Sequence, residues 1–313
     1  MDQVLVTCPP MLGLMDEFYP VFEQYGIKGV AADVLQTLSE DELIAALPDY
    51  AGWIIGDDPA TARVFKAGKK GRLRAAVKWG VGVDNVDFEA CKSLDIPIIN
   101  TPGVFGREVA DVAMAYVLGL ARDTYAIDRA VRSENAWPKP RGVSTWNKTA
   151  AVIGFGDIGR QTARRLLACD MHVRVYDPFY KPVAGLDVEP VTWPEGLEDV
   201  DFLIFTAPLN DSTHHMFNLD ILPRLKPGVR LVNVGRGPVV QETALLEGLR
   251  SGRIIAAALD VFEEEPLAAD SPLRKFDHCI FGSHNGSNTV DAVRHVSQLA
   301  IKRLATFLTE TKA

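Results

Sequence analysis

Short apolar, β-rich runs alternate with stretches of helical spacing along almost the whole chain, and few folds accept that order. Strands joined through helices run parallel, because the crossover brings the chain back to start the next strand at the same end of the sheet. A parallel sheet is covered on both faces, so its strands read as continuous apolar runs rather than alternating ones. In the first part of the chain such runs fall at residues 3–7, 29–34, 52–56, 75–79 and 96–99. Residues 14–24, 39–47, 59–67 and 86–93 lie between them with helical spacing. Ser39 followed by Glu42 is a capping-box pattern, and Pro48 stops that helix.

Asn100-Thr101-Pro102-Gly103 is a cluster of breakers. One long helix is expected after it, over residues 109–132, and then a looser stretch, 134–148, with two prolines and two tryptophans. A second β–α series follows, with strands expected at 150–154, 172–176, 202–206, 230–234, 254–259 and 279–281. The final helix, residues 289–309, carries Val293, Val296, Ala300, Leu304 and Phe307 as one apolar stripe. The chain has 313 residues, enough for two domains of about 150 each. The expected class is therefore α/β, with two Rossmann- or flavodoxin-like units built on parallel sheets.

Composition narrows the partners. A net charge of −8 argues against a general affinity for nucleic acid or an anionic membrane surface. No apolar run is long enough for a membrane span, and the first residues lack the pattern of a secretory signal, so a cytoplasmic location is expected. Cys8, Cys91, Cys169 and Cys279 are far apart and form no zinc-type pair with each other or with histidine. They read as buried free thiols, and no metal site is expected.

Gly154-Phe155-Gly156-Asp157-Ile158-Gly159 is G-x-G-x-x-G between an apolar strand and a helix. That context makes it a dinucleotide fingerprint: Gly154 for a tight turn, Gly156 for close approach of a pyrophosphate, Gly159 for helix–strand packing. The helix N-terminus offers free amides to the phosphates. Asp177, at the end of the next strand, is the acid expected about 20 residues on to meet the ribose hydroxyls. A carboxylate there favours NAD over its 2′-phosphorylated counterpart.

Three later strands each lead into a candidate for chemistry. Arg236 stands between glycines after the fourth strand of this series, and its planar fork suits a carboxylate, although a solvated turn residue would read the same way. Asp260 opens a segment ending Glu263-Glu264-Glu265-Pro266; a run of glutamates is usually a solvated loop. His284 lies among Gly282, Ser283, Asn285 and Gly286, which leave room for a ligand, although a lone histidine is more often structural.

Taken in order, Gly154 to Gly159, Asp177, Arg236, Asp260, Glu265 and His284 resemble the NAD-dependent D-isomer-specific 2-hydroxyacid dehydrogenases, the phosphoglycerate dehydrogenase-like branch in particular. The segment from Gly80 to Asp87 is similar to that family's substrate-carboxylate loop. Ala207, Pro208 and Thr213 lie in a stretch similar to its segment beside the cofactor. The resemblance implies a split substrate domain, residues 1–100 plus 289–313, interrupted by an NAD-binding Rossmann domain, 101–288, with the substrate held in the cleft. It implies a homodimer formed through the cofactor domain, with the long helix from Val109 at the interface.

It also implies roles. Arg236 anchors the substrate carboxylate, and the amides of Val81 and Gly82 complete that site. His284 exchanges a proton with the 2-oxo/2-hydroxy oxygen. Glu265, chosen because it immediately precedes Pro266, holds His284 and favours the imidazolium. Val234, Gly235 and Gly286 join the glycine turn in binding the cofactor, and Asp260 lies near the nicotinamide carboxamide. His214 and His215, read as a helix-start segment, receive no catalytic role.

Two departures bear on the substrate. Phosphoglycerate dehydrogenases place an arginine for the substrate phosphate where this chain has Asp57 and Asp58, which would repel a phosphate or cap the helix ahead of Pro59. Glu108 and Asp111 also depart from the family pattern, and Arg107 is a candidate for a replacement cation. The reaction is thus expected, and 3-phosphoglycerate as substrate is not. The rival reading is an NAD(H)-sensing, corepressor-like binding protein on the same scaffold. The L-specific lactate and malate dehydrogenases are set aside because their fingerprint lies near the N-terminus.

Overall fold

Asp2–Val6 (β1), Ile27–Ala31 (β2), Gly52–Ile55 (β3), Ala75–Lys78 (β4) and Ile98–Asn100 (β5) form a parallel sheet in the order β2-β1-β3-β4-β5. Every residue of β3 and β4 is buried, as expected where helices cover both faces. A computed structural model describes residues 1–310 of the chain. It separates into two compact units, Met1–Phe105 with the chain from Asn288 on, and Gly106–Ser287.

The helices of the first unit begin with Pro9–Leu12 (α1), Met15–Gln24 (α2), Glu40–Ala46 (α3), Ala62–Lys70 (α4) and Phe88–Ser93 (α5). Ser39 and Glu42 make the reciprocal capping box that their spacing predicts. The expected helix at 59–67 starts later, at Ala62. Thr61 is its N-cap and accepts from the Val64 amide. This corrects the capping reading of Asp57 and Asp58. Asp58 is fully buried: it accepts from the Thr7 hydroxyl and from the amides of Gly56 (3.1 Å) and Leu38 (2.9 Å). Burial pushes its carboxyl up, against those three bonds. Asp57 stays part-exposed and pairs with the buried ammonium of Lys78 at 3.0 Å.

In the second unit, Thr149–Ile153 (β6), His172–Tyr176 (β7), Glu189–Pro190 (β8), Phe202–Phe205 (β9), Val229–Asn233 (β10), Ile254–Leu259 (β11) and Cys279–Phe281 (β12) form a parallel sheet ordered β12-β11-β10-β9-β6-β7-β8. The order reverses between β6 and β9, and in open α/β sheets ligands bind at such a switch point, beyond the carboxyl ends of the strands. β8, a two-residue edge strand, is too short to be read from sequence.

The expected single helix at 109–132 is two: Gly106–Arg122 (α6) and Thr124–Ser133 (α7), separated by Asp123 at φ +55°. The break has a tertiary cause. The last carbonyls of α6 are taken from elsewhere: Leu120 O accepts from Arg230 at 3.1 Å, and Ala121 O from the Val143 amide at 2.7 Å. Helical periodicity continues through residue 132, but the left-handed Asp123 interrupts it where these carbonyls meet partners from outside the helix.

Asp157–Ala168 (α8) and Glu242–Ser251 (α9) complete the second unit, and Val290–Glu310 (α10) returns the chain to the first. α10 buries Val293, Val296, Ala300 and Leu304; Leu308, rather than the half-buried Phe307, completes the stripe. Trp79 donates to Ser297 of α10 at 3.0 Å. Cys8, Cys91 and Cys279 are buried and Cys169 is half-buried; all four are free thiols. Among the described residues no helix is long and apolar enough to cross a membrane.

Candidate active site

The glycine turn lies at the carboxyl end of β6, at the switch point. Gly154 has φ +93°, open to glycine at little cost, and a side chain there would stand 2.8 Å from the Ala207 backbone. A Cβ on Gly159 would collide with the carbonyl of Gly154, so the close helix–strand packing depends on its absence. At Gly156 an added Cβ meets nothing within 4 Å, so one side of the turn is open. Gly156, as N-cap, has no side chain to satisfy the first amides of α8. A pyrophosphate fits such a cradle: free amides at a positive helix end, with no Cβ in the way. The Asp157 carboxylate stands against Gly106, the first residue of α6, where a positive helix end also favours it. Asp177, at the end of β7, is held by the amides of Phe155 (2.6 Å) and Phe179 (2.8 Å). The residues present therefore fit a dinucleotide.

Ala207 is buried and Pro208 exposed in the turn after β9. Thr213 ties that turn together, donating to Pro208 O at 2.7 Å and accepting from the Asn210 amide at 2.9 Å. His214 and His215 end this turn and do not start a helix, which corrects the sequence reading. A left-handed His215, φ +50°, and an amide already given to Pro238 O at 2.7 Å suit a turn and not a first helical residue.

The loops after β11 and β12 bring the acid–base candidates together. His284 Nδ1 lies 2.7 Å from Glu265 Oε2, and Glu265 Oε1 accepts from the Phe262 amide at 2.9 Å. A ring N–H facing a carboxylate donates to it, which leaves Nε2 as the other proton-carrying atom. His284 has φ +56°, a conformation that costs about 1–3 kcal/mol for a residue with a side chain. The loop is held there from Asp260: His284 N donates to Asp260 O at 2.7 Å, Asn285 N to Oδ1 at 3.2 Å and Gly286 N to Oδ2 at 2.8 Å. Asp260 is only 3% exposed, so its carboxylate frames the histidine loop.

Arg236 follows β10. Val234 and Gly235 before it are buried, Asn233 Nδ2 donates to Arg236 O at 2.9 Å, and Asn233 Oδ1 accepts from the Gly235 amide at 3.1 Å. One guanidinium nitrogen donates to Gly235 O at 3.1 Å. The second unit thus gathers Gly154 to Gly159, Asp177, Ala207, Pro208, Thr213, Val234, Gly235, Arg236, Asp260, Glu265, His284 and Gly286 at the carboxyl ends of its strands. Val81 and Gly82 belong to the first unit, in the loop after β4, where Gly80 is pinned to Thr101. Arg107 is exposed near the start of α6, and Asp111 pairs with Arg165 at 2.7 Å.

Tyr116 and Glu242, which the sequence reading passes over, and Glu263 and His215, to which it gives no role, join this edge. Tyr116 of α6 donates to Asp260 Oδ1 at 3.4 Å; burial, then the Asp260 charge, push its phenol up, so it stays a donor. Glu263 is bonded to both His215 and Glu242. Helical spacing puts Tyr116 on a buried face without revealing what its hydroxyl meets, and the acidic run, in which Pro266 marks Glu265, does not reveal that Glu263 is held as well.

Comparison with known proteins agrees with this geometry. Residues 114–286 match the model of the D-isomer specific 2-hydroxyacid dehydrogenase, NAD binding domain. A hydroxypyruvate reductase of Thermotoga maritima is 36% identical over 85% of this chain and 88% of its own length. A D-3-phosphoglycerate dehydrogenase of Archaeoglobus fulgidus is 33% identical over 87% of this chain, which spans about half (52%) of that longer protein. Among solved structures, the TT0316 protein of Thermus thermophilus superposes with a TM-score of 0.88 at 29% identity, over 98% of this chain and 97% of that one. A fold, a glycine cradle and a histidine–glutamate pair at the sheet edge thus coincide with similarity along most of the chain, which belongs to the D-isomer specific 2-hydroxyacid dehydrogenase family and carries its NAD binding domain.

Proposed function

We propose that the protein interconverts a small, non-phosphorylated 2-oxo acid and its D-2-hydroxy acid with NAD(H), His284 moving the proton, Glu265 holding His284 and Arg236 anchoring the carboxylate. The observation that carries this reading is the 2.7 Å His284–Glu265 bond on a loop framed by Asp260, at the sheet edge that also bears Arg236. Bound NADH supplies the hydride. Nε2 of His284, opposite the nitrogen that faces Glu265, gives a proton to the carbonyl oxygen in reduction and takes one in the reverse direction. The Arg236 fork holds the carboxylate by paired charged hydrogen bonds and withdraws electron density from the neighbouring carbonyl. The segment after β3, Gly56 to Thr61, holds no arginine or lysine for a phosphoryl group, and the nearby Lys78 is already paired with Asp57, which supports a substrate without one.

A panel of 2-oxo acids assayed by NADH oxidation tests the reading. Glyoxylate or hydroxypyruvate is turned over and 3-phosphohydroxypyruvate is not. Tight NADH binding without turnover of any acid would make the protein an NAD(H) sensor instead. NADH is preferred to NADPH by at least about tenfold, or about 1.4 kcal/mol, because Asp177 repels a 2′-phosphate. Asp177→Ala narrows that gap, and equal use of both cofactors by the unaltered protein would refute the assignment.

A homodimer formed through the second unit is part of the same proposal. Leu118, Tyr125, Val131, Trp137 and Trp146, on α6, α7 and the stretch after them, are each at least 40% exposed. Apolar side chains left exposed close together in sequence are suited to covering by a partner. Sedimentation shows a dimer, and Trp137→Ser with Tyr125→Ser shifts it to monomer at micromolar concentration. A dimer insensitive to both changes would place the interface elsewhere.

A further inference from the structure

The turns after β9, β10 and β11 meet at one carboxylate. Glu263 Oε1 accepts from His215 Nε2 at 2.7 Å and from the Glu242 amide at 3.1 Å. In return the Glu263 amide donates to Glu242 Oε1 at 3.1 Å. Glu242 is the first residue of α9, and its N-cap, Gln241, makes no side-chain cap bond. Glu263 therefore caps α9 from a different loop, at the end where the helix favours a negative charge. His215 is itself fixed to the Arg236 turn, through its amide to Pro238 O at 2.7 Å, and its ring stacks on His214 with centroids 4.0 Å apart. The two turns also touch directly, since a Cβ on Gly237 would overlap the carbonyl of Phe262. Two carboxylates exchanging amides in this way repel each other. Burial first, then the charges of Glu263 and Glu264, push the Glu242 carboxyl up, and the imidazole N–H of His215 is the donor set between the loops.

Arg236 lies six residues before Glu242, and Glu265 two residues after Glu263, so whatever joins Glu242 to Glu263 sets one turn against the other. We propose that Glu263, His215 and Glu242 form a clasp that fixes the Arg236 turn against the Glu265 turn, with Glu263 and His215 acting as positioning residues for the substrate carboxylate. This rests on the roles given above to Arg236 and Glu265. A loosened clasp lets the anchored acid drift from His284, while the cofactor cradle at β6 and the His284–Glu265 bond are untouched.

The test uses Glu263→Ala, Glu263→Gln and His215→Gln in the full chain. Glu263→Ala and His215→Gln raise KM for the 2-oxo acid about tenfold and change kcat less than threefold. NADH affinity, by fluorescence titration, and the pH midpoint of kcat stay in place. A variant that was merely less stable would lose active enzyme, lowering kcat and leaving KM unmoved. Glu263→Gln, which keeps an oxygen for the Glu242 amide, recovers most of the loss. The His215→Gln, Glu263→Ala double variant is no worse than the poorer single one, because both break the same clasp. Hydrogen exchange at the Glu242 amide, which needs no catalysis, speeds at least tenfold in Glu263→Ala. Unchanged KM in both single variants, additive effects in the double, or a fall in kcat alone overturns the proposal. Arg236→Lys is run alongside. If it leaves KM unchanged, the anchor role falls, and the clasp is still judged by exchange at Glu242 and by KM in Glu263→Ala.

Discussion

Replacing His284 by alanine lowers kcat by roughly 10²–10⁴-fold, the span usual for one positioned acid–base group. The carbonyl of a 2-oxo acid takes up hydride slowly unless its oxygen receives a proton as charge develops there. Reduction needs His284 protonated, so its rate falls as pH rises through the histidine titration; oxidation of the hydroxy acid needs it neutral and rises over the same range. The Glu265 carboxylate, 2.7 Å from Nδ1, favours the imidazolium. Glu265→Gln removes that charge and keeps an acceptor, so the midpoints of both profiles move to lower pH and activity persists. Rates measured in both directions across pH 5–9 decide the matter, with kcat/KM diagnostic if product release limits kcat. A midpoint that stays put or moves upward in Glu265→Gln would remove Glu265 from the pair and leave the role of His284 to the alanine variant.

Arg236→Lys keeps the charge and loses the planar fork. One charged hydrogen bond is worth about 1.5–3 kcal/mol, so kcat/KM for the 2-oxo acid falls roughly 10- to 150-fold. NADH binding, measured by fluorescence, changes little, because the glycine turn proposed to cradle the cofactor is at β6 and Arg236 follows β10. Near-normal kcat/KM in this variant would show that the carboxylate is anchored elsewhere.

Much of the site was legible because its parts are local. The G-x-G-x-x-G turn needs only a strand before it and a helix after it, and Gly154 and Gly159 bear out their expected geometry. Arg236, Asp260 and His284 could be placed because each follows a strand of a parallel sheet, where the carboxyl ends converge. The carboxylates were harder. Asp57 and Asp58 are neighbours in sequence and opposites in the fold, one part-exposed against Lys78 and the other sealed under Thr7. Glu263 and Glu265 are two residues apart in one acidic run, yet one caps a distant helix and the other holds a histidine. Spacing alone cannot tell them apart: Glu265 is singled out only through Pro266 and the family resemblance, and nothing in the sequence separates Asp57 from Asp58.

The sequence by itself determined most of the order of strands and helices, the parallel direction of both sheets, the capping box at Ser39 and the glycine turn at β6. Each follows from a period, a cap or a missing Cβ within a few residues. Only the tertiary structure decided where α6 stops and that Asp58, Asp260 and Glu263 spend their carboxylates within the fold. The carbonyls of Leu120 and Ala121 accept from Arg230 and Val143, one 110 residues away along the chain and the other some twenty. Asp260 spends its carboxylate on the loop that carries His284, more than 20 residues on. A buried polar group must be matched by whatever partner folding brings to it, and that partner is seldom a neighbour in sequence.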